Sequence, residues 1–162
     1  MSTFERDNFQ WRETYFVLFD TGKRPSLARV EKALRGLSQR FQITAGVADE
    51  QGHFESLTLL SPDDYAALDI SYVCGDEVLE QGESLYQELK SSVADDHERA
   101  QLARLPKCDA RFDLFHFEEL TAAQAGDEPD EMLDPSALLV VLEALARLTK
   151  GVGVDPQSGT LL

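Results

Sequence analysis

Residues 25–52 read PSLARVEKALRGLSQRFQITAGVADEQG, and residues 135–159 read PSALLVVLEALARLTKGVGVDPQSG. Each stretch opens on Pro-Ser, runs through a helical leucine pattern and closes on Gly-Val, four residues and Gly. With one residue inserted after the Pro-Ser pair, Ala33, Leu34, Leu37 and Ser38 align with Ala144, Leu145, Leu148 and Thr149. Gly46, Val47 and Gly52 then align with Gly153, Val154 and Gly159. Leucine spacing alone arises readily by chance. The shared order of strand, Pro-Ser, helix and Gly-Val turn argues for a structural repeat. A strand-like run precedes each stretch: YFVLFD at 15–20 and RFDLFHFEE at 111–119.

Two βαβ-type halves predict an α+β fold, an elaborated ferredoxin-like two-layer sandwich with a mainly antiparallel sheet. Segments 14–20 and 110–119 are expected as neighbouring central strands, with both repeat helices on one face, as right-handed crossovers favour. The expected single domain, 1–162, divides into an arm (1–13), a first half (14–60), an insert (61–109) and a second half (110–162). Strands 41–48 and 53–60 flank DEQG as a hairpin. The insert, about 61–105, supplies a strand at 68–74 and helices at 76–91 and 95–105, the last ended by Pro106. Residues 120–134 read as an acidic loop. In the helix 135–149, Asp134 is the expected N-cap and Gly151 the C′ stop. The final Thr160-Leu161-Leu162 reads as the start of a returning strand.

The net charge is −15, from 30 acidic and 15 basic side chains, but it is unevenly placed. Residues 1–40 carry a balance of +3, which leaves −18 for the other 122. Neither 41–89 nor 112–146 contains a Lys or Arg. Such a chain repels nucleic-acid phosphates and anionic membrane surfaces over most of its area. No apolar run approaches the ~18 residues of a membrane span, and the first residues are charged where a signal peptide needs an apolar stretch. The expected location is cytoplasmic. Cys74 and Cys108 lack a CxxC spacing and read as buried thiols.

Few residues carry recognisable chemistry. GVGVDPQSG resembles a phosphate loop only superficially: such loops follow a strand and lead into a helix, whereas this one follows a helix. Ser26 and Ser136 sit where helix caps belong, and GDEPDEMLD (126–134) lacks the spacing of a calcium loop. No metal site and no cofactor are expected, and no catalytic constellation is legible. Of the three histidines, His53 opens a strand and His97 lies on an exposed-looking helix. His116, among phenylalanines, is the one placed to titrate inside the fold.

The favoured function is therefore a non-catalytic protein-interaction or regulatory module. Arg29, Lys32 and Arg35 lie outside the leucine stripe of the first helix. Leu138 to Leu142 are aliphatic without a break, which predicts a helix covered all round, by the insert helices or by a partner. Arg29, Lys32, Arg35, Leu139 and Val140 are the candidate interface, for a protein partner or a salt-sensitive homodimer. The alternative is a small-molecule-sensing domain, or an enzyme, with a cleft near His116, Tyr72 and Cys74.

Overall fold

The computed structural model describes residues 9–61, 66–93, 95–119, 136–156 and 160–161. Among these residues seven strands form one sheet: β1 (Phe9–Phe19), β2 (Gln42–Ala48), β3 (Phe54–Ser61), β4 (Ala66–Cys74), β5 (Ala110–Glu119), β6 (Val152–Asp155) and β7 (Thr160–Leu161). Their order is β2-β3-β4-β5-β1-β6-β7, and every neighbouring pair is antiparallel. Four helices join them: α1 (Leu27–Arg35), α2 (Asp76–Leu89), α3 (Asp96–Arg104) and α4 (Ser136–Thr149). Two short 3₁₀ turns, Thr21–Lys23 and Leu105–Lys107, close the connections after β1 and α3. The α+β class and antiparallel sheet are as expected, and no helix among the described residues is long and apolar enough to cross a membrane.

β1 and β5 are central neighbours, paired from Phe9↔Glu119 to Phe19↔Ala110. Alternation along β1 divides the core between the two faces of the sheet. Val17 and Phe19 join a cluster with Phe54, Leu57, Ile70, Phe112 and Leu114, roofed by Val30 and Leu34 of α1 and Leu138, Val141 and Leu145 of α4. Leu18 points the other way, into a cluster with Val78 and Leu85 of α2, Leu102 of α3, Leu105, Cys108, Val152 and Val154. The apolar residues on both sides of TYFVLFD are thus explained by cover on both faces. Each fully buried Leu or Phe contributes about 1.5–3 kcal/mol relative to exposure.

Three local expectations change. β1 starts at Phe9, not at Thr14, so residues 9–13 of the expected arm are strand, while 1–8 lie outside the described residues. A bulge between Trp11 and Glu13 breaks the period-2 pattern there, which hides the strand. The insert strand β4 is no appendage: it lies between β3 and β5, with nine residues in register against β5. The path from β1 through α1 to β2 consequently crosses three strands, whereas β5 reaches β6 through α4 across β1 alone. The third change concerns the end of α4. Lys150 takes the left-handed conformation there (φ 54°), and the Gly151 amide donates back to the Ala146 carbonyl at 2.8 Å. Glycine is needed at 151 for space, since a Cβ there would sit 2.6 Å from the Leu18 carbonyl oxygen. The acidic loop at 120–134, with the Asp134 cap, falls outside the described residues.

Candidate functional site

The β5 register sets His116 opposite Glu13 of β1 and Leu68 of β4. Parity with Phe112 and Leu114 puts it on the α1/α4 side of the sheet, where it is only 5% exposed. Its Nδ1 lies 3.5 Å from Glu13 Oε1. Two residues on, Glu118 is 3% exposed on the same face, and its Oε2 lies 3.7 Å from an Arg12 Nη1 supplied by the β1 bulge. Neither His116 Nδ1 nor Glu118 Oε2 has a hydrogen-bond partner among the described residues. A buried polar atom without a partner costs about 1–3 kcal/mol, more when charged, so this end of the sheet is the least satisfied part of the core. The cluster holds polar groups in a dry place, but among the described residues no three His, Cys, Asp or Glu side chains are set to hold a metal ion.

Tyr72 and Cys74 do not join His116. Tyr72 faces Phe112 in the ladder, four residues along β4 from the Leu68 that pairs with His116, a separation of about 13 Å at the usual strand rise. Tyr72 instead lies beneath Arg24, whose Cζ is 3.9 Å from the ring centroid. Arg24 donates through Nε and Nη2 to the Phe54 carbonyl at 3.2 and 2.8 Å, and its Nη1 lies 3.4 Å from Asp49 Oδ2. Desolvation works against the Asp49 carboxylate, yet the His53 and Gln51 amides and the His53 ring hold it below its ordinary pKa. Burial first, then the hydrogen bond with Cys74, pushes the Tyr72 hydroxyl up to about 12, with the Arg24 charge opposing. Tyr72 therefore stays protonated at neutral pH. Arg24, Asp49 and His53 close this end of the core rather than open a cleft.

Only one of the two cysteines is the expected buried thiol. Cys108 is buried and donates to the Arg104 carbonyl at 3.3 Å, while Cys74 ends β4 in solvent. Burial pushes the Cys108 thiol up to about 11 despite the nearby Arg104. An aromatic disulfide reagent at pH 8 is expected to titrate one thiol in the native protein and two after denaturation. Mass spectrometry should place the native adduct on Cys74; rapid native labelling of Cys108 would contradict this packing.

The candidate interface residues lie on two helices that pack together, α1 and α4. Ser26 Oγ caps α1 by accepting from the Arg29 amide at 3.2 Å, and Val30 and Leu34 turn inward. Arg29, Lys32 and Arg35 are left exposed, with Arg35 Nη2 3.6 Å from Glu31 Oε2. α4 packs beside α1 and buries Leu138, Val141, Leu142 and Leu145. It is not covered all round as its composition suggested: Leu139 is 41% and Val140 42% exposed. The insert helices α2 and α3 pack their apolar residues on the reverse face and leave both exposed, although α3 reaches the groove beside Leu139. Leu139 also borders a groove of about 630 Å³, lined by Leu142, Ala146, Gly151 and Gly153 and rimmed by His97 and Gln101 of α3. That groove reaches none of His116, Tyr72 and Cys74.

Comparison with protein-family models, curated proteins and solved structures finds no match for this chain.

Proposed function

We propose that this protein is a non-catalytic interaction module that docks through the outer faces of α1 and α4. The observation that carries the reading is the pair Leu139 and Val140, exposed on α4, with Arg29, Lys32 and Arg35 exposed on α1, the helix packed against it. Apolar side chains next to unburied charge of one sign suit a partner that brings an acidic rim.

A second copy of the chain offers such a rim. On α2, Asp76, Glu77, Glu80, Glu83 and Glu88 are all exposed. α1 and α2 lie on opposite faces of the sheet, so docking one on the other is heterologous and gives chains or rings rather than a closed two-fold pair. The apolar contribution is small, which places the contact among weak interfaces of less than about 1,200 Å². Its salt sensitivity should be high, because the Debye length shrinks from about 30 Å at 0.01 M salt to about 3 Å at 1 M.

Sedimentation velocity tests this directly. The average mass should rise with protein concentration at low salt and fall to the monomer value at high salt. Arg29→Glu with Lys32→Glu, and separately Val140→Asp, should each give a monomer under both conditions. A wild-type protein that is strictly monomeric at low salt overturns self-association.

The same reading includes the finer architecture, an elaborated ferredoxin-like sandwich with an internal repeat. Its support is that Gly46-Val47 falls in β2 and Gly153-Val154 in β6, each the strand reached after a repeat helix and each paired to the next strand. The exposed free thiol of Cys74 suits a reducing, cytoplasmic setting.

A further inference from the structure

We propose that Lys23, Arg104, Lys107 and Lys150 form a binding site for the phosphate group of a small phosphorylated ligand. They line a cavity of about 290 Å³ together with Asp20, Cys108 and Thr149. Three connections build it, all at the end of the sheet opposite His116. Asp20 and Lys23 come from the turn after β1, Arg104 and Lys107 from the end of α3 and the 3₁₀ turn that follows, and Thr149 and Lys150 from the end of α4.

What marks this cavity is that four cations, brought by three connections, line one space. The described ion pairs engage Arg12, Arg24, Arg35, Arg99, Arg111 and Arg147. None of the four cavity cations has a carboxylate within 4.0 Å among the described residues, although acidic side chains outnumber basic ones 30 to 15. Nearby acids are committed elsewhere. Asp20 Oδ1 accepts from the Gly22 amide at 2.8 Å. Asp109 accepts from the Thr21 amide at 2.8 Å and from the Thr21 hydroxyl at 3.0 Å. Both carboxylates thus stitch the turn and form no direct ion pair with the cations, though their charge still offsets part of the cavity's field.

Basic residues at helix C-termini also offset helix dipoles, and magnitudes decide between the two explanations. An α-helix end carries about half a negative charge, so α3 and α4 together supply about one unit. Four cations, less Asp20, Asp109 and that unit, leave a surplus of about +1, which favours an anionic phosphate group. Lys150 adds a second argument. It holds the left-handed conformation (φ 54°) that favours glycine, and it lines the cavity. The volume lies at the small end of ligand pockets, so the ligand carries one phosphate on a small body rather than a dinucleotide. The wider charge of −15 repels a nucleic-acid backbone.

Binding is the whole chemistry of the site. The Thr149 hydroxyl donates to the Leu145 carbonyl at 2.8 Å, and burial keeps Cys108 in its thiol form, so neither is available as a nucleophile.

The probes are inorganic phosphate and glycerol 3-phosphate, with acetate at equal ionic strength as control, followed by amide chemical shifts in two-dimensional NMR. Saturable shifts are expected with both phosphates, centred on Lys23, Lys107, Cys108 and Lys150, and none with acetate. Lys107→Met and Lys150→Gly should each weaken binding about tenfold, the effect of one lost charge-assisted contact. Lys150→Gly also relieves the left-handed backbone, so its loss of affinity cannot be a folding defect. Linear, non-saturating shifts, an equal response to acetate, or unchanged affinity in both variants overturns the site. None of its residues belongs to the proposed docking face, so either proposal can fail alone.

Discussion

Phe112→Ala is expected to remove about 4–5 kcal/mol of stability, a large share of the roughly 5–15 kcal/mol that folded domains possess. The ring is fully buried on the central strand β5 and touches aromatics from three other strands. Its centroid lies 4.7 Å from Phe19 of β1, 5.2 Å from Phe54 of β3 in edge geometry, and 6.4 Å from Tyr72 of β4. Truncation loses the transfer free energy of the ring, leaves a cavity walled by strands that cannot collapse, and breaks several aromatic pairs worth about 0.5–1.5 kcal/mol each. A urea titration read by circular dichroism should show a large fall in midpoint with an unchanged slope. Phe115→Ala, on the other face of the same strand and only half-buried, should cost much less. Equal losses for the two would mean that the core is not centred on the α1/α4 face.

The strand that carries Phe112 was legible from residues 110–119 alone, because five aromatic or aliphatic side chains and a histidine alternate without a breaker. The helices were legible for the same local reason. Register was not: nothing local says that β4 slots between β3 and β5, and that placement separates Tyr72 from His116. The buried polar cluster was half visible. His116 was singled out, and Glu118 at i+2 on the same strand could have been added from alternation. Glu13 and Arg12 could not, because a bulge brings them there. The cationic cavity had no local signature, since Lys23, Arg104, Lys107 and Lys150 each read alone as an ordinary charge at the end of a helix or turn. Sites assembled from separate connections emerge only when long-range pairing brings those connections together.

Gly82→Ala provides the sharpest contrast between local and tertiary reasoning. Gly82 sits inside α2, where replacing glycine by alanine ordinarily stabilises a helix by about 1 kcal/mol. In this fold the sign is expected to reverse, with a loss of about 3 kcal/mol. A Cβ at position 82 would stand 2.2 Å from the Leu105 carbonyl oxygen and 3.0 Å from its carbon. Those atoms are backbone, held in the 3₁₀ turn where the Leu105 carbonyl accepts from the Cys108 amide at 3.1 Å, so no side-chain rotation relieves the clash. Either α2 lifts off the sheet, uncovering Val78 and Leu85, or the turn moves and carries Lys107 and Cys108 with it. Thermal denaturation distinguishes the outcomes. A melting temperature at or above that of the wild type would show that α2 does not press on this turn. A fall of about 6–12 °C, at the per-kcal/mol sensitivity of a domain this long, would show that it does. Displacement of the turn should also raise the labelling rate of Cys108 in the native protein. That readout separates a local shift from general loosening, in which labelling would follow global unfolding.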